Sequence, residues 1–264
     1  MRLFFTPGSE ELFGTRRPEA SPAAIRWRIA PATHPLASPA LAKLPLLRPR
    51  GFVSLCLVSN SVVMTSANGT CVLAPAGLES GQPPWTRTIE GITGVSTDGR
   101  WLGIYRSYGT SLYVYRLPGL DRVAKLAHPG SIGDFQFSPH GEEVAIGSPR
   151  DPAEVALWNT LTWKPTRTLT NFSSLLYTQD PKEVWLTRDQ RTAGLYDLRT
   201  LEPLILLPTG VLPLAISPNG LRLAVSVDGQ RLQLWDLGEV RNQLRAMGLD
   251  WSDAKQVVVP AHRQ

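Results

Sequence analysis

The chain has 264 residues, a formal net charge of +5 at pH 7, 23 prolines and 22 glycines. This length can bury a large hydrophobic core without disulfides or metal, and the many prolines and glycines disfavour an architecture of long helices. The basic residues are spread over every segment, whereas a nucleic-acid-binding surface gathers Lys and Arg in one groove or on one helix. Composition therefore favours an all-β protein and argues against nucleic acid as its partner.

The cysteines and apolar runs indicate a soluble, cytoplasmic protein. Cys56 and Cys71 are too few for a secreted disulfide scaffold and lack the close spacing of a zinc site. The apolar runs at 52–58 and 203–216 are either short or interrupted by proline and glycine, so no membrane span is predicted. The opening residues MRLFFTPGSEE have too short an apolar stretch for a signal peptide.

A tight-turn motif recurs at intervals of about 40 residues and is clearest as SPHG and SPNG. Its copies begin at Thr6, Val58, Ser96, Ser138, Thr178 and Ser217. After each turn comes a short alternating strand that ends on a large residue: Trp27, Leu73, Tyr115, Trp158, Tyr196 and Trp235. The tight turn and the large strand residue recur with the same period of about 40 residues. Each unit is therefore predicted to contain three strands and a looser fourth strand, such as PTRTL at 165–169.

A sheet with apolar residues on both faces cannot bury them alone, so neighbouring copies must pack face to face around an axis. The predicted fold is therefore an all-β propeller of about six four-stranded blades, with a short C-terminal helix. The predicted repeats are 1–47, 48–87, 88–126, 127–169, 170–208 and 209–237, and the helix and tail occupy 238–264.

Two segments resemble WD40 repeats: FSPHGEEVAIGS…VALWNT at 137–160 and ISPNGLRLAVSVDGQRLQLWDL at 216–237. Residues 91–117 and 172–198 resemble them more loosely. The resemblance implies a β-propeller that acts as a scaffold for a protein or peptide partner and has no catalytic activity.

The chain departs from the WD40 pattern at two polar positions. The family's Gly-His pair remains only as AHPG, in which His128 takes the place of the structural histidine. Asp follows the strand aromatic only at Asp197 and Asp236. The buried His–Ser–Trp–Asp relay of the family is therefore expected to be mostly absent, and apolar packing is expected to hold the blades together.

The large third-strand aromatics are predicted to be structural. Their alternating positions favour burial between blades over exposure to a base or sugar. These blade aromatics are Trp27, Tyr115, Trp158, Tyr196 and Trp235.

The two ends leave ring closure open. Six copies of the first three strands can be counted but only five of the fourth, and every blade needs an outer strand or a substitute. Three explanations remain: KQVVVP at 255–260 fills the gap, the chain begins inside a longer propeller and is truncated at its N-terminus, or a partner supplies the strand. Residues 15–50 contain seven prolines and are predicted to be an extended insertion on the rim.

A short helix is predicted after the last strand. Asp236 and Glu239 have the spacing of a capping box, and Gly248 suits a left-handed helix stop. One apolar stripe is predicted to dock the helix, formed by Val240, Leu244 and Met247.

The sequence RxxLxxxGLDW at 241–251 resembles the ending that follows the last repeat of bacterial WD40-repeat proteins, some of which carry a serine/threonine kinase domain. No kinase motif occurs in this sequence, so the resemblance implies no kinase activity. It leaves open an alternative function, an accessory or sensor propeller belonging to a larger kinase or other signalling enzyme.

The sequence predicts no catalytic, metal or cofactor site. Its histidines are His34, His128, His140 and His262. No two of them have metal-ligand spacing, and His140 occupies a repeated turn position. Acidic pairs such as Glu142–Glu143 follow the turns and are predicted to be solvated. A propeller hydrolase or dehydrogenase is the least favoured alternative, because no set of polar ligands is seen to converge on the axis.

Sorting loop charges by the side of the disc predicts an interaction face. Loops between second and third strands have an excess of basic residues, whereas turns between first and second strands have an excess of acidic residues. Arg and Tyr often anchor interfaces, so the basic face is predicted to dock an acidic peptide or protein surface. Its candidate residues are Arg106, Tyr108, Arg150, Arg188 and Arg191. The competing interpretation is that the loops of any protein carry charge.

Overall fold

The computed structural model describes residues 91–106, 108–117, 119–149, 153–189 and 191–248, together with the backbone of seven strands between residues 2 and 73 and the side chain of Ile29. These residues form six sheets, each built from antiparallel strands that are consecutive in the chain. Helix α1 (Leu237–Ala246) follows the last strand.

Sheets 1 to 3 occupy the first half of the chain. Sheet 1 contains β1 (Arg2–Phe5), β2 (Glu11–Arg16), β3 (Ala23–Ile29) and β4 (Leu41–Leu44). Sheet 2 contains β5 (Phe52–Val58), β6 (Ser61–Ser66) and β7 (Gly69–Leu73). Sheet 3 contains β8 (Ile92–Val95), β9 (Trp101–Tyr105), β10 (Ser111–Arg116) and β11 (Asp121–Ala127).

Sheets 4 to 6 follow in the second half. Sheet 4 contains β12 (Asp134–Phe137), β13 (Glu143–Ser148), β14 (Glu154–Asn159) and β15 (Pro165–Thr170). Sheet 5 contains β16 (Ser174–Tyr177), β17 (Glu183–Thr187), β18 (Ala193–Asp197) and β19 (Pro203–Leu206). Sheet 6 contains β20 (Val211–Ile216), β21 (Arg222–Val227) and β22 (Arg231–Asp236).

The sheets are arranged as a β-propeller, because the first strand of one sheet lies against the first strand of the next. Such contacts join β5 to β8, β8 to β12, β12 to β16, β16 to β20, and β20 to β1. The apolar cores lie between successive sheets. Among the described residues four sheets have four strands and two have three, so six four-stranded blades stay a prediction.

The Ser-containing motif forms the predicted tight turn in sheets 3, 4 and 6. Its hydroxyl oxygen accepts the N–H of the residue five positions later, as in Ser138 to Glu143 at 3.0 Å and Ser217 to Arg222 at 2.9 Å. The glycine of the motif is left-handed, with φ of +69° at Gly141. A side chain is strained in that conformation, which explains the choice of glycine.

The third-strand aromatics pack between sheets. Tyr115 and Tyr196 are buried, whereas Trp158 and Trp235 are half-buried. Trp158 packs on the core between sheets 3 and 4, and Trp235 on the core between sheets 5 and 6. The side chain of Trp27 lies outside the described residues.

The residue that follows each third-strand aromatic provides a side-chain cap for the next turn. The side-chain oxygen of Asn159 accepts the N–H groups of Leu161 and Thr162 at 3.0 and 2.9 Å. Asp197 binds two N–H groups of its own turn in the same way, and Asp236 accepts the N–H of Glu239 at 3.0 Å. The acidic residue of the WD pair therefore serves local turn geometry in this chain.

Three turns between third and fourth strands place a large apolar residue in the left-handed conformation. These residues are Leu120, Trp163 and Leu201, with φ of +57°, +55° and +60°. A left-handed non-glycine residue costs about 1–2 kcal/mol. Leu120 is buried, and Trp163 and Leu201 pack on the cores between sheets, so side-chain burial offsets this strain.

Helix α1 replaces such a turn in sheet 6. Its N-cap is Asp236, and Gly248 follows the helix with φ of +71°, as the sequence predicts. Leu244 packs on the core between sheets 5 and 6. The prediction for Met247 is wrong, because its side chain is 63 % exposed. Among the residues with assigned structure, no helix has the length and hydropathy that a membrane crossing requires.

Residues 15–50 are not wholly an insertion, because β3 and β4 lie within this stretch and belong to sheet 1. β3 pairs in register with β2, and β4 pairs in register with β3, so strand pairing outweighs the proline content of the flanking segments. The segments 17–22, 30–40 and 45–51, like the proposed closing strand at 255–260, lie outside the described residues.

Candidate interaction face

The strand ends define two faces of the propeller. We call upper the face that carries the loops from second to third strands and the links between sheets. The lower face carries the turns from first to second strands, those from third to fourth strands, and α1. In a sheet of consecutive antiparallel strands these two groups of loops emerge at opposite ends. The described candidate residues Arg106, Tyr108, Arg188 and Arg191 belong to upper-face loops.

The loop from β9 to β10 is tied to the neighbouring link by backbone hydrogen bonds. Gly109 N–H donates to the Arg106 carbonyl at 2.8 Å, which closes the loop on itself. Ile132 N–H donates to the Gly109 carbonyl, and His128 N–H donates to the Thr110 carbonyl, both at 2.8 Å. These hydrogen bonds therefore restrain the backbone beside the exposed side chain of Arg106.

Tyr108 lies at the tip of this loop. Its backbone is left-handed, with φ of +61°, and its side chain is 76 % exposed. A left-handed tyrosine is unfavourable on local grounds, and such conformations persist where the surrounding structure imposes them. The fixed loop thus presents a large aromatic side chain to solvent.

The loop from β17 to β18 is organised by Asp189. Its Oδ1 accepts the N–H groups of Arg191 and Thr192, both at 2.7 Å. The N–H of Arg191, then that of Thr192 and the positive charge of Arg188, hold the pKa of the Asp189 carboxyl below its usual value. Gly210 N–H donates to the Arg191 carbonyl at 2.7 Å and ties this loop to the link before sheet 6.

Arg188 lies over an aromatic ring. Its guanidinium carbon is 5.6 Å from the centroid of the Phe172 ring, which is the range of a cation–π contact. Phe172 is buried and meets Tyr196 edge to face at 5.3 Å. The exposed guanidinium of Arg188 is thus positioned by the core between sheets 4 and 5.

The structure places the described candidates on two loops of the same face. Arg106 and Tyr108 belong to sheet 3, whereas Arg188 and Arg191 belong to sheet 5, and all four side chains are exposed. Arg150, which follows β13 in the sequence, lies outside the described residues. Sequence reasoning missed Phe172 as the platform of Arg188, because its position in a link between strands carries no periodic signal.

The described residues reduce the charge contrast expected between the faces. That expectation rested on the turns between first and second strands, but the third-to-fourth-strand turns and α1 share the lower face. These elements add five basic residues to the lower face and only four acidic ones. The basic residues are Arg116, Lys164, Arg199, Arg241 and Arg245, and the acidic residues are Asp121, Glu202, Asp236 and Glu239. The case for a binding face therefore depends on its fixed anchors more than on net charge.

His128 has a structural environment. Its side chain is fully buried, Nδ1 accepts the N–H of Gly130 at 3.1 Å, and Nε2 is 3.7 Å from a carboxylate oxygen of Glu154. A Cβ on Gly130 would lie 2.6 Å from Ser148 Oγ, so Gly130 separates the imidazole from this buried hydroxyl. His128 and Ser148 therefore lie on either side of Gly130, close together in the structure.

Glu143 does not behave as the solvated residue that the sequence predicts. The Tyr177 hydroxyl donates a hydrogen bond to Glu143 Oε2 at 3.3 Å, and the Thr166 hydroxyl donates one to Glu143 Oε1 at 3.3 Å. Burial, together with the charge and hydrogen bond of Glu143, raises the pKa of Tyr177 well above its usual value of 10. The pair joins sheets 4 and 5, whereas His140 is exposed in its turn.

Comparison with known proteins supports the fold alone. No family model matches the chain, and no curated protein matches it. Among solved structures, the chain resembles Kuenenia stuttgartiensis hydrazine synthase with a TM-score of 0.61 and 13 % sequence identity. The alignment covers 95 % of this chain and 82 % of that one. Because 1319 solved chains match, the architecture is shared too widely to indicate an activity.

Proposed function

We propose that this chain is a non-enzymatic, WD40-like propeller of six blades that serves in the cytoplasm as a scaffold for a protein or peptide partner with an acidic surface. The observation that carries the proposal is the pair of fixed upper-face loops. One exposes Tyr108 at the tip of a closed loop, and the other exposes Arg188 on an aromatic platform.

Fixed anchors favour binding because little conformational entropy is lost when a partner engages them. Tyr and Arg are also the residues that most often dominate interface energies. A guanidinium pairs with a carboxylate through charge-assisted hydrogen bonds, so Arg106, Arg188 and Arg191 favour an acidic partner.

A closed ring of six blades is supported by the contact between the two ends of the described chain. The first strand of sheet 1 lies against the first strand of sheet 6. Ile29 of sheet 1 packs with Ala215 and Leu234 of sheet 6 in one apolar cluster. This contact favours a ring that closes within the chain over a longer propeller.

The test is a peptide array that contains acidic, neutral and basic sequences of equal length. The expected result is enrichment of acidic peptides by the native protein and its loss in Arg188→Glu/Arg191→Glu and in Tyr108→Ala. Lys182→Glu/Arg199→Glu is the matched control, since it makes the same charge change at exposed lower-face positions.

Array results separate a specific face from a general charge effect. Equal binding of acidic peptides by the native protein and the Arg188→Glu/Arg191→Glu variant would contradict the proposal. An equal loss in the upper-face variant and in the lower-face control would also contradict it, since net charge alone would then explain the binding.

A further inference from the structure

The outer edge of β22 has no partner strand among the described residues. In sheets 3, 4 and 5 the third strand pairs with a fourth strand: β10 with β11, β14 with β15, and β18 with β19. Sheet 6 consists of β20, β21 and β22, and α1 follows at once.

Side-chain burial along β22 is consistent with the lack of a fourth strand beside it in the described part of the chain. When the strand aromatics are aligned, Leu232 corresponds to Leu112, Val155 and Ala193. Each of these three residues is fully buried, whereas Leu232 is half-buried. An apolar edge of one strand's width is therefore left at the rim of sheet 6.

The residues that cover the equivalent positions share one chemistry. Leu126 pairs with Leu112, and Leu169 pairs with Val155. Leu207 donates its N–H to the Ala193 carbonyl at 2.9 Å, directly after β19. The occupant of the β22 edge must therefore place an aliphatic side chain opposite Leu232.

One segment of the chain matches this requirement. The sequence LILLP at 204–208 supplies Leu207 to sheet 5 and turns away at Pro208, and QVVVP at 256–260 repeats that pattern. Alignment of the two prolines puts Val259 opposite Leu232 and Val257 opposite Leu234. A proline at the end of an outer strand is tolerated, because no ladder hydrogen bond is lost there.

The connection from α1 is long enough. Leu237 N–H donates to the Leu221 carbonyl at 2.7 Å, so α1 begins at the lower end of β22. A helix of ten residues is about 15 Å long. The eight residues 247–254 can span about 26 Å when extended, which exceeds the length of the helix.

We propose that residues 255–260 dock on the outer edge of β22 as an antiparallel fourth strand, with Val259 facing Leu232 and Val258 facing Gln233. The valines then cover the apolar edge of sheet 6, and the strand supplies the backbone groups that β22 needs at its rim. This assignment is independent of the interaction-face proposal.

Paired cysteines in the full chain test the register. Facing pairs alternate between two spacings, so Leu232→Cys/Val259→Cys and Gln233→Cys/Val258→Cys together include the closer type. Peptide mapping after mild oxidation should find an intramolecular link in one or both variants. The control Leu232→Cys/Val258→Cys has its thiols on opposite faces and should stay unlinked.

Two results would overturn the assignment. One is the absence of a link in both facing pairs, which would leave the edge to another strand. The other is a link between two molecules, which would assign the edge to a second copy of the chain.

Thermal unfolding gives a second readout that needs no crosslink. Val257→Asp/Val259→Asp should lower Tm by several degrees, because the charges face the apolar edge, whereas Gln256→Asp/Val258→Asp should lower it less. Equal Tm values for native protein and both variants would contradict the docking of this segment.

Discussion

Sheets 4 and 6 are built from the same unit but cover their lower edge differently. In sheet 4, β14 continues into a turn and β15, and Trp163 of that turn packs on the core between sheets 3 and 4. In sheet 6, β22 continues into α1, and Leu237 and Leu244 take the corresponding place on the core between sheets 5 and 6. The interface between blades can therefore be covered by a strained turn or by a helix.

The turn after β14 and helix α1 after β22 begin with the same type of hydrogen bond. Thr160 N–H donates to the Glu142 carbonyl at 2.9 Å in sheet 4, and Leu237 N–H donates to the Leu221 carbonyl at 2.7 Å in sheet 6. The side chain of Asn159 then caps the turn after β14, and that of Asp236 caps α1. The comparison teaches that the third strand and its cap are the constant part of the unit, while the fourth strand is the variable part.

The largest effect is expected from truncation of the enclosed core. Leu157 in β14 and Leu234 in β22 occupy equivalent positions, and they are only 2 % and 1 % exposed. Leu157→Ala should lower the free energy of unfolding by about 2–5 kcal/mol. Leu234→Ala should cost less, because among the described residues no fourth strand continues directly from β22, so this edge of the sheet can close on the cavity more easily. Chemical denaturation of both variants checks the order, and an equal or larger cost at Leu234 would contradict it.

The second largest effect is expected at Trp163, in the turn between β14 and β15, where two substitutions distinguish backbone strain from side-chain packing. Trp163 meets Trp101 edge to face at 5.2 Å, so Trp163→Ala should cost about 2 kcal/mol. Trp163→Gly loses the same contact but relieves the left-handed conformation, worth about 1 kcal/mol. We therefore expect Gly to be the milder substitution in thermal unfolding, although it is the smaller residue. A more stable Ala variant would show that the turn is unstrained.

Removal of the caps should have a smaller effect. Asp236→Ala should cost about 1 kcal/mol and reduce helical circular dichroism, since α1 loses its N-cap. Asn159→Ala should destabilise by a comparable amount without loss of helix, whereas Asn159→Asp keeps the acceptor and serves as its control. Loss of helical signal in the Asn159 variant would break the distinction between the two sheets.

The smallest effect near neutral pH concerns Tyr177, for which Ile216 is the equivalent residue of sheet 6. Because the folded protein raises the pKa of Tyr177 above 10, the unfolded chain releases this proton first as pH rises. The contribution to stability is thus complete below about pH 10 and is lost above it. Unfolding followed at several alkaline pH values should show a steeper decline for native protein than for Tyr177→Phe. Parallel declines would rule out a buried, neutral phenol.

The repeat is readable from the sequence because its signals are local. Alternation of apolar residues, the Ser-to-Gly turn and the large third-strand residue each depend on neighbours within a few positions, and the structure has a strand, turn or aromatic at these places. The helix cap at Asp236 was predictable for the same reason. Met247 was not, since whether a stripe residue is covered depends on how the helix ends against its neighbours.

The candidate face was predictable only as a set of loop positions. The sequence by itself determined that Arg106, Tyr108, Arg188 and Arg191 lie between second and third strands, because alternation and turn chemistry are properties of short segments. Only the tertiary structure decided that Arg188 lies on Phe172 and that Glu143 pairs with Tyr177, 34 residues away. Such contacts form between sheets, where the distance along the chain carries no information about which side chains meet.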